Sequence, residues 1–189
     1  TKEGVAFWSK YEESLNQVSA STGVPAEVIV AIIGVETYYG RIMGSYRVID
    51  ALSTLAFDYP RRSKFFTKEL EVFLEQAWAS DLSIDTMKGS YAGAMGLGQF
   101  MPSSYRAYAK DFDGDEVIDI WANPGDAIAS VANYFVKHGW RSGGSVVAKA
   151  SFADGREAAI FDQGLKPVKT IDQLQSAGLE PQKAIAGDE

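Results

Sequence analysis

With 189 residues, 46% of them hydrophobic and 12% aromatic, the chain is long enough to bury a core and too apolar for global disorder. A formal net charge of −7 argues against a general nucleic-acid binder, which needs a basic face to meet phosphates. The absence of cysteine and the single histidine, His138, exclude disulfides, thiolate sites and a histidine-rich metal centre, and leave little from which to build a Ser-His-Asp triad.

In chain order, residues 3–21 predict one amphipathic helix, with Trp8, Tyr11, Leu15 and Val18 on its stripe and Glu12, Glu13 and Gln17 off it. A second helix is expected after Thr22-Gly23, with Pro25 in its first turn and an end near Gly40. Residues 48–57 read as a short helix stopped by Asp58-Tyr59-Pro60. Residues 62–79 read as a longer one with Phe66, Leu70, Phe73 and Ala77 on one side. A glycine-rich aromatic stretch, GSYAGAMGLGQFMP (89–102), leads through a short helix, SSYRAYA, into the acidic loop DFDGDEVIDIWANPGD. A further helix carries Ile128, Val131, Ala132 and Phe135 at helical spacing.

After Trp140 the texture changes. VVAKASF and AAIF read as a small hairpin, and TIDQLQSAG as a helix with a Thr170/Gln173 capping box and Gly178 as its stop. The final EPQKAIAGDE reads as a frayed tail. No apolar run approaches the roughly 20 residues that span a bilayer, and TKEGVAFW is not a signal peptide. An exported protein with this start would already have lost its targeting segment.

The sharpest chemical signal is Glu36. Ile29, Ile32, Ile33 and Glu36 fall at i, i+3, i+4 and i+7, so the glutamate continues an apolar face. Val28, Ala31 and Val35 cover the adjacent one, which suggests a central helix. Burial there, and the negative end of the helix dipole, are expected to raise its pKa above about 4.3. A carboxylic acid kept protonated near neutral pH is what general-acid cleavage of a glycosidic bond requires. An ion pair with Arg41, or a side chain that simply points outward, fits the same spacing. Thr37-Tyr38-Tyr39-Gly40, two tyrosines and a glycine turn beside the carboxyl, suits a sugar cleft.

The glycine-rich stretch lacks the GK[ST] ending of a phosphate loop. Glycines at 89, 93, 96 and 98 allow close backbone approach to a ligand or to another helix. Ser90, Gln99 and Met95 would bring polar and soft apolar groups to that surface; a tightly packed connector is the competing reading.

Taken together, GVETYYGRIMG, LSTLAFDYPRRSKFF, AGAMGLGQFMPSSY and DIWANPGDAIASVANYF resemble the membrane-bound lytic transglycosylase B family, lysozyme-like enzymes that act on bacterial peptidoglycan. The resemblance runs from about Phe7 to Trp140. It implies a mainly α fold: a lysozyme-like catalytic core over 1–140 with an EF-hand-like loop at 111–126, and a small mixed segment over 141–189. It also implies that Glu36 alone is catalytic, first protonating the oxygen between N-acetylmuramic acid and N-acetylglucosamine. The same carboxylate would then draw the muramyl 6-hydroxyl onto C1, giving a 1,6-anhydro product, a carbon–oxygen lyase reaction. The substrate N-acetyl group would help stabilise the oxocarbenium-like centre. Ser90 and Gln99, with Met95 beside them, would line the cleft, and Arg61, Arg62, Phe65 and Tyr134 would contact sugar or peptide groups. Family members continue into a strand-rich segment that closes the cleft, and nothing in residues 141–189 matches it.

In the acidic loop, Asp111, Asp113 and Asp115 occupy positions 1, 3 and 5 of an EF-hand-like pattern, with the Val117 carbonyl at 7. Glu116 replaces the usual glycine at position 6 and Ala122 stands at 12, so Asp126 is the candidate for the last carboxylate. This resembles the family's variant calcium loop, and a calcium here would be structural. A solvated acidic turn with a helix cap is the competing reading.

The expected partner is the glycan strand of peptidoglycan, with no nucleic acid. Cell-wall synthesis proteins are further candidate partners, and membrane attachment would come only from a lipid anchor outside this chain. The expected compartment is the periplasm, with outer-membrane association in a longer form. A hydrolytic muramidase and a non-catalytic peptidoglycan-binding scaffold are the alternatives.

Overall fold

The computed structural model describes residues 1–79, 83–144, 146–152 and 169–183. The chain forms two compact units, Thr1–Ser142 and Gly143–Glu189.

The first amphipathic stretch folds as two helices rather than one. In α1 (Lys2–Lys10) the Thr1 side chain accepts the Gly4 N–H. Tyr11, at φ −119° and ψ 27°, turns the chain into α2 (Glu12–Thr22). No proline or glycine marks the break. Its cause is tertiary: α1 packs on α3, while α2 packs on both α3 and α7, so the kink lets one apolar stripe wrap its partners.

Gly23, left-handed at φ 70°, ends α2, and α3 (Ala26–Thr37) leaves at 117° to it. The Trp140 indole N–H donates to the Gly23 carbonyl at 2.8 Å and holds this corner. Helix α3 buries Ala26, Ile29, Val30, Ile33 and Thr37. Its other side is open: Ala31 and Glu36 are exposed, and Val35 is 82% exposed. The expected all-round burial of this helix therefore fails on the side that carries Glu36.

Helices α4 (Val48–Asp58) and α5 (Ser63–Ala79) pack on each other around the Asp58-Tyr59-Pro60 connector. The Ser63 hydroxyl donates to the Ala56 carbonyl at 2.6 Å across it. Short helix α6 (Pro102–Tyr108) packs on α5 and α7 (Pro124–Lys137). Leu15, Ile29, Ile33, Leu52, Phe73 and Ile128 are fully buried at the centre of this unit. Truncating any of the aliphatic ones to alanine should cost about 2–5 kcal/mol.

Strands β1 (Tyr46–Arg47) and β2 (Lys88–Gly89) form a short antiparallel ladder, Tyr46 opposite Gly89. In the second unit, β3 (Ala150–Phe152) pairs antiparallel with β4 (Leu179–Pro181), and α8 (Ile171–Ser176) carries the expected capping box of Thr170 and Gln173. Among the described residues ASF therefore pairs with Leu179–Pro181, and the start of the expected tail is strand. AAIF, the other arm of the expected hairpin, and residues 184–189 lie outside the described residues.

Candidate active site

Glu36 occupies the last turn of α3, just before the buried Thr37. Glu36 is exposed, so the burial expected from periodicity is not found. The ion-pair alternative fails as well. Among the described residues the salt bridges are Arg47–Asp50, Arg47–Asp85 and Arg106–Glu75, and the Arg41 guanidinium lies instead over the Tyr38 ring at 5.0 Å.

The chain leaves α3 through three left-handed residues, Tyr38 (φ 50°), Tyr39 (φ 61°) and Gly40 (φ 85°). Two of them are not glycine, a conformation that costs about 1 kcal/mol or more each. Packing offsets that cost. The Tyr39 ring stands against two helix glycines, where a Cβ on Gly4 or Gly34 would fall 2.6 or 2.5 Å from its hydroxyl. Its face meets Phe7 at 5.5 Å.

The glycine-rich stretch runs beside this turn. Glycine at 44 and 89 lets the two backbones touch, since a Cβ on Gly44 would collide with the Gly89 carbonyl. Thr37 Oγ donates to the carbonyl of Leu97 at 3.0 Å. Gln99, itself left-handed at φ 50°, donates from Nε2 to the carbonyls of Met43 and Gly96 at 3.2 and 3.0 Å. Ser90 Oγ accepts the N–H groups of Ala92 and Ala94 at 3.2 and 3.1 Å, which leaves its proton to donate elsewhere. Leu97 and Gln99 are thus tied to Thr37 and Met43, and the segment of Ser90 meets the chain a little further on, at Gly44 and Tyr46.

The other expected cleft residues are placed differently. Met95 is 1% exposed and part of the core, so it packs the glycine-rich stretch from behind and offers no surface. Arg61 and Arg62 are exposed on the α4–α5 connector and Phe65 is exposed in the first turn of α5, and the Arg62 guanidinium covers the Phe65 and Phe66 rings at 4.4 and 5.1 Å. Tyr134 joins an aromatic cluster, edge-on to Phe100 at 6.1 Å and stacked on His138 at 4.0 Å. Its edge partner Phe100 is the residue after Gln99.

In the acidic loop, the carboxylates of Asp111, Asp113 and Asp115 offer oxygens within 4.8 Å of one another. The Gly114 and Glu116 N–H groups hold the Asp111 carboxyl below its ordinary value. The Val117 N–H donates to Asp115 at 2.8 Å. Glu116 is left-handed, φ 68°, at the place where an EF-hand loop uses glycine for its sharp turn. Asp126 stands apart from this acidic cluster. It is 0% exposed, and its two oxygens accept the N–H groups of Phe112 and Asp119 at 2.9 and 2.7 Å. Burial pushes its carboxyl up against the pull of those two donors. Asp126 staples both ends of the loop to α7, and the charges of Asp113 and Asp111 push its carboxyl up further.

Sequence reasoning missed one buried carboxylate. Glu69 is 3% exposed and accepts both the Ser103 N–H at 2.8 Å and the Ser103 hydroxyl at 2.7 Å. It thereby caps α6 from α5. Phe66, Glu69 and Phe73 recur at i, i+3 and i+7, the signal that singled out Glu36, so the pattern was present and unread.

The helical core, with one open glutamate facing water at the end of a central helix, defines a lysozyme-like, mainly α domain. Residues 1–188 match the Transglycosylase SLT domain family, and the chain belongs to it. It is 52% identical over 184 residues to the membrane-bound lytic murein transglycosylase B of Escherichia coli (strain K12), covering 97% of this chain and 50% of that protein. The soluble lytic transglycosylase SltB1 from Pseudomonas aeruginosa superposes with a TM-score of 0.92 at 52% identity, over 96% of this chain and 61% of that one. The Escherichia coli lytic transglycosylase Slt35, solved in complex with calcium, gives 0.88 at 50% identity, over 97% of this chain and 57% of that one. The chain therefore spans about half the length of the curated relative it matches.

Proposed function

We propose that the chain carries the catalytic acid of a peptidoglycan lytic transglycosylase. The observation that carries this reading is Glu36: open to solvent, outside every ion pair among the described residues, and next to Thr37, which bonds Leu97 of the glycine-rich stretch that also carries Ser90 and Gln99. Glu36 gives its proton to the oxygen joining N-acetylmuramic acid to N-acetylglucosamine. The C1–oxygen bond breaks, and positive charge develops at C1. The resulting carboxylate takes the proton of the muramyl 6-hydroxyl as that oxygen bonds to C1, so the product is a 1,6-anhydro ring and no water is consumed. A sugar lying over Glu36 would exclude water from the carboxyl and favour the neutral acid. The Ser90 hydroxyl proton and the Gln99 amide are the polar groups supplied by the adjoining wall.

The acidic loop fits a hard divalent cation, since three carboxylates converge and, among the described residues, the donors around them are backbone N–H groups and the Asn123 amide. Asp111, Asp113 and Asp115 would hold calcium, with the Val117 carbonyl as a further oxygen. The ion would stiffen the loop between α6 and α7 and take no part in the sugar chemistry. The partner is the glycan strand of murein. The working compartment is the periplasm, in association with the outer membrane.

Digestion of purified murein followed by mass spectrometry tests the reaction. Soluble fragments with 1,6-anhydromuramic ends are expected. Fragments heavier by one water would mean a muramidase, and binding without release would mean a scaffold.

A further inference from the structure

We propose that Thr37 is the positioning residue for Glu36, its side-chain hydroxyl fixing the turn that carries the acid against the glycine-rich wall. This inference rests on the reading of Glu36 as the catalytic acid. Thr37 is 1% exposed, the residue immediately after an exposed carboxyl. Its Oγ accepts the Gly40 N–H at 3.1 Å and shares its single proton between the carbonyls of Ile33, at 3.2 Å, and Leu97, at 3.0 Å. One atom therefore joins the last turn of α3, the left-handed run and the glycine-rich stretch.

The connection continues away from the site. The Leu97 N–H donates to the Ile120 carbonyl at 2.9 Å, and the Trp121 indole donates to the Lys88 carbonyl at 3.0 Å, next to Gly89-Ser90. The glycine-rich stretch is thus braced from behind, and Thr37 is where that brace meets the residue next to the acid. The run it holds is strained, with Tyr38 and Tyr39 both left-handed. Such a run keeps one geometry only when its surroundings over-determine it. The Ile42 N–H to the Thr37 carbonyl, 2.9 Å, closes the turn from the far side. A hydroxyl that is buried, bonded on three sides and next in sequence to the reacting group acts on the orientation of that group, because acid and leaving oxygen must be aligned closely for proton transfer.

The test compares Thr37→Val, which keeps the shape and removes the hydroxyl, with Thr37→Ser, which keeps the hydroxyl. Turnover of murein is measured per folded molecule, well below the melting temperature, alongside affinity for a disaccharide–peptide fragment of murein. Thr37→Val is expected to lower turnover by roughly tenfold to a hundredfold while changing fragment affinity by less than about threefold. Thr37→Ser should restore most of the rate. Wild-type turnover in Thr37→Val, a loss accounted for by its unfolded fraction, or failure of serine to rescue would each overturn the proposal. If the wild-type chain releases nothing from murein, the transglycosylase reading is what fails. The joint itself is then decided by amide exchange at Gly40: protected in wild type and Thr37→Ser and fast in Thr37→Val if the inference holds, alike in all three if it does not.

Discussion

Replacing Glu69 by glutamine removes one of the two carboxylate oxygens that hold Ser103 at the start of α6. Both bonds are short, 2.8 Å from the N–H and 2.7 Å from the hydroxyl, and the group is almost wholly buried. Hydrogen bonds to a charged group contribute about 1.5–3 kcal/mol each. Glutamine keeps one acceptor for the Ser103 N–H, and the serine hydroxyl can turn to accept from the new amide. The net loss for Glu69→Gln is therefore about 1–2 kcal/mol, the charge-assisted part of two bonds. Glu69→Ala leaves the helix start uncapped and opens a cavity, for a loss of about 3 kcal/mol or more. Urea unfolding followed by far-ultraviolet circular dichroism reads both values. Murein cleavage per folded molecule should stay near wild type in Glu69→Gln. An unfolding free energy within about 0.5 kcal/mol of wild type, or a collapse of activity in the folded variant, would refute the assignment of this buried carboxylate to structure.

Two further outcomes follow from the same geometry. Calcium should raise the melting temperature of the wild-type chain, and Asp111→Asn or Asp115→Asn should abolish most of that rise; calorimetry showing equal calcium stabilisation in the variants would remove the loop from consideration. The Tyr105 phenol donates to the Ile118 carbonyl, and burial, with the nearby charges of Asp119 and Asp126, pushes it up from 10.0 to about 12. A folded-state value above the unfolded one means stability that is full below pH 10 and lost as pH rises toward about 12. Tyr105→Phe should therefore flatten that alkaline loss, read as melting temperature against pH. An unchanged slope would contradict the burial argument.

Helices with a one-sided apolar pattern were legible in the sequence wherever local chemistry marked their ends. Pro25, the Asp58-Tyr59-Pro60 stop and the Thr170/Gln173 box set boundaries close to those in the structure. The break at Tyr11 carried no such mark, because packing on two different partners produces it. Glu36 was found by periodicity, yet for a reason that did not hold. An apolar face predicts burial only if something covers it, and the Val35 side of α3 is uncovered in this chain. Glu69 shows the converse, a buried carboxyl whose two partners on Ser103 lie 34 positions away. Asp126 was read as the loop's last carboxylate from its place after the alternating acids; spacing alone does not show that its two oxygens also accept backbone N–H groups. The glycine turn after Glu36 was legible, but not that Tyr38 and Tyr39 share its left-handed conformation, since tyrosine rarely adopts it and the seat of Tyr39 against Gly4 and Gly34 is a tertiary contact.

The most direct test of the account is mass spectrometry of murein digests made with the wild-type chain and with Glu36→Gln. Anhydromuropeptides are expected from the wild type and none from the variant, with the variant as stable to urea as its parent because Glu36 is exposed and makes no ion pair among the described residues. Undiminished anhydro products from Glu36→Gln would contradict it.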